Sequence, residues 1–447
     1  MKKQTLDLTK GNIFRLLVAY SVPLIATSLL QSVYSIADLL IAGRTVGSVG
    51  ISAINNSSQV MNLITKIAIG LCTGGSILIG QYFGASNRKG KEESARTLFS
   101  MCMLLGIVFA ATLWTFSRRL LILLRAPALE EATVYLKICS LGFVFIWGYN
   151  GLSAILRALG DSRSPFRIIT ATSVVNIILD LVLMGILRMG VAGAALATML
   201  SQGLSFLMSL FIVLRQPEIY GITVRNLRMK RDKVTGILHL GIPCSLQMTI
   251  AAISWLVVTF FINKYGVDVS AGNGVSIKIK DTCQLILSAM STGTATMAAQ
   301  NLGAGLYDRS REVLKQAMKI TISIAVVLML FVEVTAPFLC GFFTGEPAVL
   351  HAAILNLRIE MLGQIFYAMF LTYHGFMTGA GHTMWVMFSS FVNCIPVRIL
   401  LVVILERIFG VTGIYLACMA APFASVPIGF FYVRSGIWRR SLVKDNT

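Results

Sequence analysis

Four oxygen-bearing side chains set inside apolar stretches are the residues best able to do chemistry in this chain: Asp38, Asn176, Asp180 and Thr198. Asp180 follows Asn176 by four residues, so on a helix the amide and the carboxylate share one face. Asp38 stands near the far end of the first apolar stretch and Thr198 near the start of the sixth. If the stretches alternate in direction, all four groups lie at a similar depth. An ionisable group inside a membrane is costly, and its default reading is functional. Desolvation and like-charge repulsion favour the protonated form of a carboxylate, and two coupled acids titrate as a pair. Two carboxylates with an amide oxygen and a hydroxyl also suit a hard cation such as sodium. The pattern therefore points to reversible binding of a proton or a sodium ion and leaves the choice between them open. Asp38 alone could simply cap a helix or pair with Arg44; the three-residue combination with Asn176 and Asp180 is harder to explain that way.

Such groups need long apolar helices to hold them. The chain has 447 residues, 56% hydrophobic and 13% charged, with a mean hydropathy of +0.78. A helix crosses the hydrocarbon core with roughly 20 apolar residues. Spans are expected near 13–42, 54–83, 97–117, 131–156, 166–187, 190–214, 238–262, 271–300, 316–340, 350–378, 384–405 and 410–433. The polar start, Met1 to Lys10, followed by a long apolar stretch does not fit a cleavable signal, so the first span is expected to act as the targeting element. With the N-terminus in the cytoplasm, the inner segments hold 25 Lys and Arg and the outer segments 7. That asymmetry follows the positive-inside rule. It assigns the formal charge of +19 to topology in a bacterial inner membrane, with both termini cytoplasmic and no nucleic-acid partner.

The eight cysteines lie in apolar segments without a Cys-x-x-Cys pair, and the four histidines are scattered. Neither a disulfide framework nor a zinc site is indicated. No phosphate-binding loop occurs, because Gly90-Lys91 is followed by Glu92. No cofactor is expected beyond a coupling ion.

The chain reads as one six-helix unit used twice. Gly80-Gln81-Tyr82-Phe83-Gly84-Ala85 matches Ala299-Gln300-Asn301-Leu302-Gly303-Ala304 at an offset of 219. Pro23 matches Pro243, and Gly190-Val191 matches Gly410-Val411, at 220. An even number of spans per unit makes the repeats parallel, an arrangement that puts a transport path between halves. The expected fold is an all-α integral membrane protein of twelve helices in two lobes around a central cavity. The expected domains are an N-terminal lobe 1–220, a cytoplasmic linker 221–237 and a C-terminal lobe 238–447. Pro23 and Pro243 interrupt their helices and are candidate bend points. The chemistry does not repeat: Asp38 aligns with Val258, Asp180 with Leu400 or Leu401, and Thr198 with Cys418. Lys66, Lys278, Lys280 and Asp281 could form an ion-pair set, and Glu360 could pair with Arg398 across two spans.

The segments "VPLIATSLLQSVYSIADLLIAGR", "GQYFGASNRKG" and "VNIILDLVLM" resemble the first, second and fifth helices of the multidrug and toxic-compound extrusion (MATE) family, in particular its DinF-like bacterial branch. The resemblance runs end to end. It implies export of cationic or amphipathic compounds by alternating access, in exchange for protons or sodium. It implies that Asp38, Asn176, Asp180 and Thr198 bind the coupling ion. Tyr34, one turn before Asp38, and Gln202, one turn after Thr198, would line the adjacent drug cavity. Some relatives carry an acid in the seventh helix; here that helix has none, so no second cation site is expected. The expected partners are small molecules and the bilayer, and the expected state is a monomer. The alternatives are a lipid-linked precursor flippase of the same superfamily, which would need a strongly cationic central cavity, and, from other classes, a channel or a membrane enzyme.

Overall fold

The computed structural model describes residues 6–123, 126, 128–223, 228–439 and 443, with the side chains of Leu39 and Ser48 left aside. Lys2, Lys3, Arg125, Arg225, Arg440 and Lys444 of the charge count lie outside the described residues. Among the described residues the ordered elements are helices. They are α1 (Ile13–Thr45), α2 (Gly47–Gly84), α3 (Arg88–Leu123), α4 (Leu129–Ala158), α5 (Arg163–Ile186), α6 (Gly190–Arg215), α7 (Arg231–Asn263), α8 (Val267–Gly303), α9 (Tyr307–Gly341), α10 (Pro347–Leu362 and Gln364–Gly379), α11 (Thr383–Phe409) and α12 (Val411–Ser435).

Ten of these helices are long and apolar enough to cross a membrane, and the two parts of α10, bent by 50°, make an eleventh. The remaining one is α8. It is 37 residues long but carries Asp268, Lys278, Lys280 and Asp281, which lower its hydropathy. The twelve expected spans all fall on helices, one of them more polar than the rest. The expected linker 221–237 is shorter as a loop, because α7 already begins at Arg231. Its start is tied down: Arg96 Nε donates to the Gly221 carbonyl at 2.6 Å, and Lys91 Nζ to the Ile219 carbonyl at 2.8 Å.

The chain forms two compact units. One contains Leu6, Asp7 and Val22–Ser245; the other contains Leu8–Ser21 and the chain from Leu246 onward. Compared with the expected division at 220 and 238, each unit takes the leading part of the other half's first helix. The contacts explain why. Leu8 N–H donates to Gln300 Oε1 at 3.1 Å, Asn301 Nδ2 donates to the Leu8 carbonyl at 3.1 Å, and Tyr20 Oη donates to Thr296 Oγ1 at 3.3 Å. In the first unit, Lys233 Nζ donates to Tyr82 Oη at 2.7 Å and Ser245 Oγ to the Ile67 carbonyl at 3.2 Å. The backbones there are nearly in touch: a Cβ on Gly74 would come within 2.5 Å of the Gly241 nitrogen. The changeovers at 21/22 and 245/246 lie within two residues of Pro23 and Pro243.

The first unit has a continuous apolar core running from Leu113 and Leu121 through Trp147 and Leu98 to Ile237 and Leu240 of α7. Trp147 stacks on Phe109 with ring centroids 5.2 Å apart. The second unit divides its apolar packing into patches around Trp438 and Phe376, around Tyr415 and Val258, and around Leu357 and Cys340. Buried polar side chains lie in this unit as well, among them Asn356 and Asn273, where Asn356 Nδ2 donates to Asn273 Oδ1 at 2.9 Å.

Candidate functional site

α5 starts where Asp161 takes the free backbone donors of its first turn: Oδ1 accepts from Arg163 N–H at 3.1 Å and Ser164 N–H at 2.9 Å. Unsatisfied N–H groups at a helix start are costly in an apolar setting, so this acid fixes the start of α5. The helix then runs in α geometry to Asp180 and widens to a π-helical turn over Leu181–Ile186. The turn into α6 is tight and passes through Gly190 at φ 59°, where a side chain would be strained. Because the turn is short, Asp180 comes ten residues before the turn glycine and Thr198 eight residues after it, at matching depth on adjacent helices.

Asn176 and Asp180 of α5 are buried; Asn176 Oδ1 has no hydrogen-bond partner, and the Asp180 carboxyl meets no donor other than the carboxyl of Asp38. Unsatisfied polar atoms in a protein interior are uncommon and need an explanation. The charged neighbour of Asp180 is Asp38 of α1, whose carboxyl adjoins it. Tyr34 interacts with both acids, and Tyr135 and Cys139 of α4 stand around Asp38. Beside this pair is a cavity of about 40 Å³ lined by Gln31, Tyr34, Thr172, Asn176, Thr198 and Gln202, with Ser173, Ser201 and Ser205 completing its polar wall. That volume admits a water molecule or a bare monovalent cation and nothing drug-sized.

The structure thus brings all six residues expected at this site into two adjoining groups joined by Tyr34: the acid pair, and the small polar cavity. Thr172, Ser201 and Ser205 were not anticipated. Their spacing held the signal, since Thr172, Asn176 and Asp180 repeat every four residues, as do Ser201 and Ser205. Ser205 Oγ donates to Thr172 Oγ1 at 2.9 Å, linking α6 to α5. The two acids form the only concentrated negative charge of the site. Among the described residues no group of three or more His, Cys, Asp or Glu side chains is placed to hold a metal ion.

The basic residues of the second unit take a different arrangement from the one expected. Glu360 of α10 pairs with Lys280 of α8, with both side chains buried, rather than with Arg398 of α11. Arg398 instead donates from Nη1 to Ser254 Oγ at 3.3 Å.

The MatE family pattern matches the chain twice, over residues 23–182 and 243–404. The matches begin at Pro23 and Pro243, the positions that the internal repeat aligns. Among curated proteins the chain is similar to a Bacillus subtilis protein described as probable multidrug resistance protein YpnP, at 29% identity over 437 residues, covering 97% of each chain. It is also similar to the multidrug export protein MepA of Staphylococcus aureus, at 25% identity over 92% of this chain and 91% of that one. The Thermotoga maritima protein described as probable multidrug resistance protein NorM is 24% identical over 96% of this chain and 93% of its own length. Among solved structures, an outward-facing multidrug resistance MATE family transporter superposes with a TM-score of 0.90 at 22% identity, covering 98% of both chains. A likeness at that identity establishes the shared fold.

Proposed function

The chain belongs to the MatE family, and on that premise we propose that it exports cationic or amphipathic small molecules across the cell membrane in exchange for protons or sodium ions. It is a multi-span membrane transporter, and its curated relatives are described as multidrug resistance or export proteins. The observation that carries the finer reading is the acid pair Asp38 and Asp180, two buried carboxyls that meet each other with no basic side chain among the described residues paired to either. Two adjoining carboxylates repel each other when both are charged. A proton shared between them, or a sodium ion also reached by Asn176 Oδ1 and Thr198 Oγ1, removes that repulsion. A cationic substrate is drawn to the same charge, so ion and substrate compete for it. Competition for one charge is what turns two uniport steps into exchange.

In this reading Tyr34 and Gln202 form the border between the ion site and the substrate path. Bending of α1 and α7 near Pro23 and Pro243 accompanies alternating access, since each of these helices belongs to both compact units. The positive-inside asymmetry supports cytoplasmic termini in a bacterial inner membrane. Exchange of one monovalent cation for another moves no net charge, whereas a second coupling ion would recruit about 2.3 kcal/mol per 100 mV. Two acids make the second ion possible.

The test is export from proteoliposomes under an imposed proton or sodium gradient. Asp38→Asn and Asp180→Asn are expected to abolish ion-driven export of a cationic dye. Undiminished export by both variants would assign the coupling ion elsewhere.

A further inference from the structure

The second unit holds its own cavity, of about 290 Å³, lined by residues of α7, α8, α10, α11 and α12. This is at the small end of the range for small-molecule sites. Trp255 of α7 forms one wall and carries two cations: Lys280 Nζ is 4.1 Å and Arg398 Cζ 5.0 Å from the centroid of its ring. Both cations line the cavity and are more than nine-tenths buried, with Lys280 3% and Arg398 6% exposed. One carboxylate, Glu360, faces them, and it is bound to Lys280. Asp281, the other acid on this stretch of α8, has an exposed side chain outside the cavity lining, and its charge acts on Tyr367 of the cavity wall.

Of the two cations that line the cavity, Lys280 has a carboxylate partner there and Arg398 has none among the lining residues. A buried charge without a partner is strongly unfavourable, and inside a membrane protein it usually marks a ligand or ion path. Arg398 shows where the missing partner belongs. Its Nη1 reaches Ser254, while its Nε is buried without an acceptor. Gln364 Oε1, Asn393 Oδ1 and Ser390 Oγ are also buried at this cavity without partners. The site therefore offers one guanidinium N–H to an anion, one free hydroxyl, and two amide oxygens to a donor. Trp255, Tyr367 and Phe370 supply flat apolar surface beside them.

We propose that this cavity is a substrate subsite for a single carboxylate on an aromatic anionic or zwitterionic compound, received by Arg398 with its ring against Trp255. The open Nε of Arg398 is matched by one carboxylate. A pyrophosphate would bring more negative charge than the cavity can balance. A zwitterion also fits the reading of the chain as an exporter of amphipathic amines, on which the substrate role rests: its carboxylate goes to the second unit and its amine remains free for an acidic site.

The experiment compares a zwitterionic quinolone with its methyl ester, which keeps the amine and loses the carboxylate. Binding is measured by equilibrium dialysis on the purified full-length protein in nanodiscs. The acid is expected to bind roughly tenfold or more tightly than the ester, the scale of one charge-assisted contact. Arg398→Gln should remove that preference by weakening the acid about tenfold or more while leaving the ester within about twofold. Retained ester binding shows that the variant is folded. If Arg398→Gln does not accumulate, the wild-type preference decides, read also as a change in tryptophan emission that Trp255→Phe removes. Equal binding of acid and ester by the wild type overturns the proposal, as does an acid preference that survives Arg398→Gln. Absence of ion-driven dye export by the wild-type protein, with its acid preference intact, would count against the exporter reading and leave this site standing.

Discussion

The polar cluster of the first unit and that of the second occupy repeats of one scaffold and carry opposite charge imbalances. In the first, two carboxyls adjoin each other, and the acceptor oxygen of Asn176 beside them has no donor. In the second, two cations share the ring of Trp255 and only one of them has a carboxylate partner. The first cluster presents carboxyl oxygens suited to a cation, with about 40 Å³ beside it; the second presents a guanidinium suited to an anion, with about 290 Å³. Size and sign together separate a site scaled to an ion from a site scaled to part of a small molecule. Duplication preserved the helices because packing constrains every turn of them, while the charges could change a few residues at a time wherever a new partner was available.

The largest expected effect is on the acids. Asp180→Asn should lower ion-driven export about 100-fold or more, the loss of a group that acts directly in the coupled step. The same variant should leave the acid-over-ester preference of the second unit unchanged. Dye export and probe binding on one preparation measure both, and a joint loss would remove the division of labour between units.

Next is the buried pair in the second unit. Lys280→Met leaves Glu360 as an unpaired buried carboxylate and should cost about 3–5 kcal/mol. Combining it with Glu360→Leu should recover most of that loss, since a well-packed apolar replacement of a buried pair is often neutral. Thermal unfolding in detergent checks the pair of variants. A double variant as unstable as the single one would mean that the pair contributes more than mutual neutralisation.

The third comparison concerns the two repeat-related helix contacts. Gly74 and Gly293 occupy equivalent positions, but a Cβ on Gly74 would meet the Gly241 backbone at 2.5 Å and one on Gly293 would meet Ser21 Oγ at 2.2 Å. A backbone cannot yield without moving a helix, so Gly74→Ala should cost about 1–3 kcal/mol, as overpacking does. A hydroxyl can rotate away, and alanine is the better helix former by up to about 1 kcal/mol. Gly293→Ala should therefore change stability by less than about 1 kcal/mol. Melting temperatures of the two variants rank the effects, and equal losses would show that the hydroxyl is as fixed as the backbone.

Legibility from sequence followed the same division. Asn176 and Asp180 could be paired because helical periodicity alone puts them on one face. Asp38 and Thr198 could be added because the direction of each span fixes their depth. Thr172 and Ser205 went unnoticed, since hydroxyl residues are common in membrane helices and their role depends on which neighbouring helix they face. The Lys280–Glu360 pair could not be read at all. Three basic or acidic residues on three helices allow several pairings, and a rotation of α10 by one position would have chosen another.

The sequence by itself determined what depends on local pattern: apolar length made the helices, and constant spacing made the repeat. It also located the acids of the first unit, since a carboxylate in an apolar run is conspicuous without any structure. Tertiary structure decided which helix halves pack together, because the close approach at Gly74 and Gly241 and the hydrogen bonds around Leu8 join residues far apart in the chain. It likewise decided the charge of the second unit's cavity. That charge depends on which one of two cations Glu360 reaches, a matter of side-chain distance across three helices.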